Sequence, residues 1–257
     1  MATAAAPRRA PARDRRFFVI MTFAMTLVIV AGFSVNLAMG RSSFALPMPF
    51  HVHGIVFMGW LGLAIAQVVT IATGNTALHI RLGKLAYLWI PLMVAAGTMM
   101  IVVSARTTGG PFFFAMNEFL VSNFAGLLTF GGLALWALRV RRHTGWHRRL
   151  MLVAMSVLTG PGLGRLLPMP LFMPYAWSAT ILLTFIVPVI GMIADRRSEG
   201  RVHPAWWWGM GINVGAFAAS MLLAYSPLGY ALTEWVVSGS PGAARPMEAH
   251  IPPGFKF

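Results

Sequence analysis

Glu118 lies about seven residues inside an apolar run that starts at Pro111, and it is the only acid well within such a run. An ionisable group in hydrocarbon costs several kcal/mol, so it is a candidate for chemistry by default. Arg165 is the natural counter-charge, about six residues before the end of another apolar run on the same side. At 1.5 Å per residue, both lie roughly 10 Å below one boundary. His53 enters a third run at that side. An ion pair between Glu118 and Arg165 next to His53 is therefore expected, lining a cavity open to that face. His53, Trp60 and Gln67 recur every seven residues, which places them on one helical stripe. Gln67 is a polar group deep in its run and needs a partner. Glu118, Ser122 and Thr129 make a second stripe, flanked by Asn117 and Asn123. The same residues also read as a purely structural network that locks helices together. Trp60 and the many methionines read as packing.

The chain has no cysteine, which excludes disulfides, thiolate catalysis, Cys-ligated zinc and iron–sulfur clusters. Haem, copper or another metal held by His, Met or carboxylate remains. His51 and His53 are the candidate metal ligands on the Glu118 side, with Met48, Met169 and Met173 at similar depth. Thioether plus imidazole is a copper(I) set, although residues two apart point to different faces of a helix. On the other side, His79 and His147 are the candidate ligands for haem b, which needs two histidines on facing helices at one depth. Both stand beside arginine, where contact with lipid headgroups is the alternative.

The elements that must position these groups are membrane helices. Of 257 residues, 58% are hydrophobic and only 10% are charged, far below the ~25% charged of a soluble domain. Seven apolar runs of near-spanning length follow one another: 17–39, 50–73, 84–104, 111–138, 150–171, 175–194 and 205–225. The fifth is interrupted by Thr159-Gly160-Pro161-Gly162-Leu163-Gly164. The first exceeds a signal-peptide core and reads as a retained helix. Trp206, Trp207 and Trp208 read as an interfacial belt. Three regions are expected: a disordered basic tail over 1–16, a seven-helix membrane domain over 17–235, and an irregular tail over 236–257.

The formal charge of +14 would suggest nucleic acid in a soluble chain. Here the charges sit in short loops between apolar runs, so nucleic acid is not an expected partner. Fifteen Lys and Arg fall on the N-terminal side, and five (Arg41, Arg106, Arg165, Arg245 and Lys256) on the other. That bias predicts a cytoplasmic N-terminus, an outside C-terminus and anionic headgroups at the cytoplasmic face.

His79-Ile80-Arg81-Leu82 and His147-Arg148-Arg149-Leu150 stand 68 residues apart, each opening a helix on the basic side. Helices 2–3 and 4–5 therefore read as two copies of one hairpin, forming a four-helix core. Together with His51-Val52-His53-Gly54, Trp60, Gln67, Gly83, Trp146, Met151 and Gly164-Arg165, these motifs resemble a family of uncharacterised bacterial multipass proteins likened to cytochrome b561. The resemblance covers about residues 50–166. It implies haem and transmembrane electron transfer, but the chain departs from that pattern in lacking four well-placed intramembrane histidines.

The expected fold is thus all-α and polytopic, in a bacterial inner membrane. The expected function is a redox or cofactor-binding protein for haem, quinone or metal. Its pocket in the outer half would be lined by His51, His53, Trp60, Gln67, Asn117, Glu118, Ser122 and Arg165. A non-enzymatic accessory subunit of a membrane complex, or a small transporter, is the alternative.

Overall fold

A computed structural model of the chain describes residues 12–255, with side chains from residue 15. The regular structure of the described residues is all helical, with no strand. Most of the expected N-terminal tail lies outside them, and the chain is already helical at Ala12. The helices are α1 (Ala12–Ala38), α2 (Met48–Ala72), α3 (Thr76–Gly83), α4 (Ala86–Thr108), α5 (Asn123–Arg139), α6 (Thr144–Val157), α7 (Gly160–Leu166), α8 (Ala176–Thr184), α9 (Ile186–Glu199), α10 (Pro204–Ala224) and α11 (Pro227–Val237). Six stretches are long and apolar enough to cross a membrane: Arg15–Ala38, Met48–Ala72, Ala86–Thr108, Glu118–Arg139, Ala176–Glu199 and Pro204–Ala224. Glu118–Arg139 is the most enclosed, with 56% of its apolar window buried, so it is the central helix.

The fifth expected run is split into α6 and α7, as its Gly-Pro-Gly interruption foreshadows. It still traverses the bundle. The Arg148 guanidinium lies over the Phe18 ring at 4.9 Å, and that of Arg165 lies over Phe33 at 4.1 Å. Residues 18 and 33 are 15 apart on α1, or ~22 Å along its axis. The α6–α7 segment therefore runs beside α1 in the same direction, making a seventh pass. The face where α1 begins carries the arginine-rich turns and is called the basic face below. The C-terminal tail packs on the opposite face.

Local chemistry sets the boundaries. The Asn75 side chain caps α3 by accepting from the Leu78 N–H at 3.1 Å. Gly109, at φ +73°, ends α4 in the left-handed conformation that glycine adopts without strain. Residues 111–115, expected to be helical, form an irregular loop. Glu118–Ser122 then make one wide π-helical turn before α5. Such turns recur at functional sites.

Packing follows the expected core in outline. Helix α2 packs on α4, α4 on α5, and α5 on α6. Trp60 ties the far pair together: its indole N–H points at Met155 Sδ at 3.0 Å, and its ring meets Phe130 edge-on at 5.5 Å. Helix α1 closes against α7. A Cβ on Gly162 would stand 2.8 Å from Ile29 Cα, and a Cβ on Gly32 would run into the Gly162 backbone. Only glycine permits that approach. Beyond the last expected run, which ends near Tyr225, the chain forms a further helix, α11, that reaches into the expected tail at Val237. The Trp belt is also divided: Trp207 and Trp208 are exposed, whereas Trp206 is fully buried.

Candidate functional site

Glu118 sits at the third position of the helix that Ala115 opens, within reach of the Ala115 backbone. Its Oε1 accepts the Tyr225 hydroxyl at 2.7 Å, and its Oε2 is buried without a partner. Asn117 donates to the Ala224 carbonyl at 2.8 Å, leaving its Oδ1 buried and unpartnered. Ser122 and Ser220 are hydrogen-bonded at 3.0 Å. The outer polar stripe is therefore completed by α10 and the turn after it.

The expected Glu118–Arg165 pair does not form. Arg165 stacks on Phe33 and donates to the Pro161 carbonyl at 2.8 Å. The break after α6 and the glycine contact of α7 with α1 turn Arg165 toward α1, while Glu118 faces Tyr225. His53 lies within electrostatic reach of Arg165 but is not hydrogen-bonded to it. Its ring lies 4.1 Å from that of Phe57, near the Ala96 backbone, with Nδ1 buried and unpartnered. His51 Nε2 turns back to the Leu46 carbonyl at 3.0 Å. Trp60 is a core residue. Gln67 lies toward the basic face, with its side-chain Nε2 unpartnered. The expected single pocket is thus dispersed. A groove of about 830 Å³ between α4, α5, α10 and α11 is lined by Thr129 and Ser220, but not by His53, Glu118 or Arg165.

On the basic face, two expected residues do meet. The rings of His79 and His147 have centres 6.4 Å apart and planes at 85°. His79 Nδ1 is 3.2 Å from the Gln67 carbonyl, and His147 Nδ1 is 2.8 Å from that of Ala137. A carbonyl only accepts, so each Nδ1 carries the hydrogen. In a neutral ring, the lone pair then sits on Nε2. Metal-ligating histidines are commonly anchored in this way. Burial holds His79 below the usual histidine range, with the Gln67 carbonyl opposing, which keeps the ring neutral at pH 7. The two H-x-R-L stretches play one part each: a histidine at a helix start bonds to the carbonyl of the preceding helix.

A second cluster on this face was not anticipated. Arg149 is 1% exposed. Its Nε and Nη2 grip Asp195 at 2.8 and 2.7 Å, and Nη2 reaches Glu199 at 2.8 Å. Asp195 Oδ2 also accepts from the Trp206 indole at 2.9 Å and the His203 backbone at 3.2 Å. Burial, then Arg149, holds His203 below its ordinary range, with Asp195 and Glu199 opposing. This bidentate fork clamps α6, α9 and α10 together. Asp195 and Glu199 are four apart and share a helix face, the one signal in the sequence that could have found them.

The C-terminal tail makes a third cluster, on the opposite face. Arg245 donates to the carbonyls of Gly109, Gly110, Phe112 and Phe114, and burial pushes its guanidinium down to about 10. Met116 N–H donates to the Met247 carbonyl at 2.7 Å.

Among the described residues, no three His, Asp or Glu side chains gather as a metal site. A metal on the histidine pair would have two ligands from the chain. Metal–nitrogen bonds are about 2.0–2.1 Å. Two such bonds would fit within the observed ring-centre separation of 6.4 Å. Comparison of the chain with protein-family models, with curated proteins and with solved structures yields no match.

Proposed function

We propose that this chain is a multipass inner-membrane protein that holds a metal cofactor between His79 and His147 and serves redox chemistry at the cytoplasmic face. The observation that carries this reading is the pair itself: two rings with Nδ1 tied to backbone carbonyls and centres 6.4 Å apart. Zinc takes four ligands, so two histidines would suit a haem iron or copper(I) instead. A cleft of about 470 Å³ on the same face is lined by Tyr87, Leu135, Trp136, Arg139 and Arg141, with neither histidine in its lining. Arg141 acts electrostatically on His147, and its cleft offers cations to an acidic cofactor. When bound, haem supplies one-electron transfer. The chain's part is to fix both rings in the ligating tautomer and to shield them partly. The motif resemblance to b561-like proteins implies haem too, although the chain departs from that pattern in lacking four well-placed intramembrane histidines.

The test is a visible spectrum and metal analysis of detergent-purified protein, with His79→Ala and His147→Ala alongside. A Soret band lost in both variants supports haem. Copper without a Soret band, lost in both, supports copper(I). Colourless, metal-free protein that does not take up added haem or copper overturns the reading. The orientation rests on the charge bias. A reporter fused at Gly145 should read cytoplasmic and one at Gly239 outside; the reverse at either overturns it.

A further inference from the structure

Glu118 lies on the opposite face from the histidine pair, and its chemistry stands independently of that site. It is 4% exposed, inside a segment that crosses the membrane. Among the described residues, no cation pairs with it. The charged and titratable groups around it are spent elsewhere or share its sign. Arg106, on α4, donates to the Val236 and Ser238 carbonyls at 2.6 and 3.3 Å. Arg245, in the tail, is bound to four loop carbonyls. Arg165 is on Phe33. Glu248 lies close enough to act on Tyr225, and Tyr230 packs on Tyr225 with ring centres 6.4 Å apart. Glu234 is on α11. His250 donates its backbone N–H to Phe112, and its buried Nδ1 has no partner.

Two neighbouring acceptors, Glu118 Oε2 and Asn117 Oδ1, are therefore buried with no donor. Leaving a carboxylate in such a place is more costly than giving it a proton. A proton on Oε2 turns one orphan acceptor into a donor and removes the charge. The Tyr225 hydroxyl, donating to Oε1, is compatible with that neutral form. The wide π-helical turn starting at Glu118 marks the place where the helix departs from regular pairing.

We infer that Glu118 is a proton-binding site, a carboxylic acid that stays protonated at neutral pH under the Tyr225 hydroxyl and gives the outer half of the membrane domain one exchangeable proton.

Infrared spectroscopy of the purified full chain at about pH 8, well above the ordinary carboxyl range, tests this directly. The wild type should show the C=O stretch of a protonated carboxylic acid, and Glu118→Gln, close in size to the neutral acid, should lack it. In Tyr225→Phe the band should persist and move to higher wavenumber, because one hydrogen bond to the carbonyl is gone. Dicyclohexylcarbodiimide, an apolar reagent for protonated carboxyls, should label the peptide carrying Glu118 in the wild type. Absence of the acid band in folded wild-type protein, or its survival unchanged in Glu118→Gln, overturns the assignment. A band that does not move in Tyr225→Phe overturns the role given to Tyr225. Because Tyr225→Phe changes only the partner, the test stands if Glu118→Gln does not fold.

Discussion

Asp195 and Glu118 are both 4% exposed, yet their surroundings differ in kind. Asp195 receives two arms of Arg149, an indole N–H and a backbone N–H. Glu118 receives one neutral hydroxyl, stands within reach of the Ala115 backbone N–H, and has no cation and an unpartnered second oxygen. A helix N-terminus favours an anion by about 0.3–1 kcal/mol, up to ~2, and a neutral hydrogen bond nets about 1. Uncompensated buried charge costs about 3–5 kcal/mol, so these terms do not offset it. The first carboxyl is built to hold three helices in one arrangement. The second is left incomplete where the chain could have supplied a cation.

Breaking the Asp195 side should have the largest effect. Arg149→Met leaves a buried carboxylate without its cation, and about 3–5 kcal/mol of stability should be lost, read as a large drop in thermal unfolding temperature in detergent. Adding Asp195→Leu should recover most of the loss, since an apolar replacement of a whole buried pair is often neutral. If the double variant is as unstable as the single, the clamp is more than a charge pair.

Tyr225→Phe comes next, at about 1–3 kcal/mol, because it strips a buried acceptor of its donor. Glu118→Gln should cost less than Tyr225→Phe, about 1 kcal/mol or under, since neutral replaces neutral and the Tyr225 bond survives. A loss as large as that of Arg149→Met would show that Glu118 is ionised and paired, and the contrast would collapse.

Acid should give the smallest change. The folded state holds His203 below its ordinary value of about 6.5, so below that pH the unfolded chain binds more protons. Stability should be complete above about pH 6.5 and decline as pH falls through it. In neutral His203, Nδ1 accepts the Ala205 N–H at 3.1 Å, an acceptor that protonation removes. His203→Asn should flatten the decline while keeping a cap on α10; an unchanged profile would locate the acid-sensitive group elsewhere.

The helices that cross the membrane were readable because hydrocarbon imposes length and polarity on each stretch, whatever its neighbours are. The histidine pair was readable for a related reason: a 68-residue repeat puts like residues at like depth. The partners of Glu118 and Asp195 were not. Glu118 finds Tyr225 at 107 residues' distance, in a turn that reads from sequence only as a helix end. Asp195 and Arg149 looked like loop charges, because nothing local announces that α9 continues to Glu199 or that Trp206 leaves the interface to cover them. Depth is written locally, whereas azimuth, the direction a side chain takes around its helix, is decided by packing. Equal depth suggested Arg165 for Glu118, and the turn of α7 onto α1 overruled it.

That same contact constrains how the protein is made. Gly32 leaves the ribosome about 130 positions ahead of Gly162, the residue its helix is shaped to meet. At 5–20 residues per second, the interval is roughly 7–26 s. Throughout it, α1 sits in the bilayer with its notch filled by lipid or by insertion machinery, while α2, α4 and α5 are threaded in behind it. Closure of α1 on α7 is then a late docking step that expels whatever occupied the notch, and biogenesis proceeds by a return to the first helix.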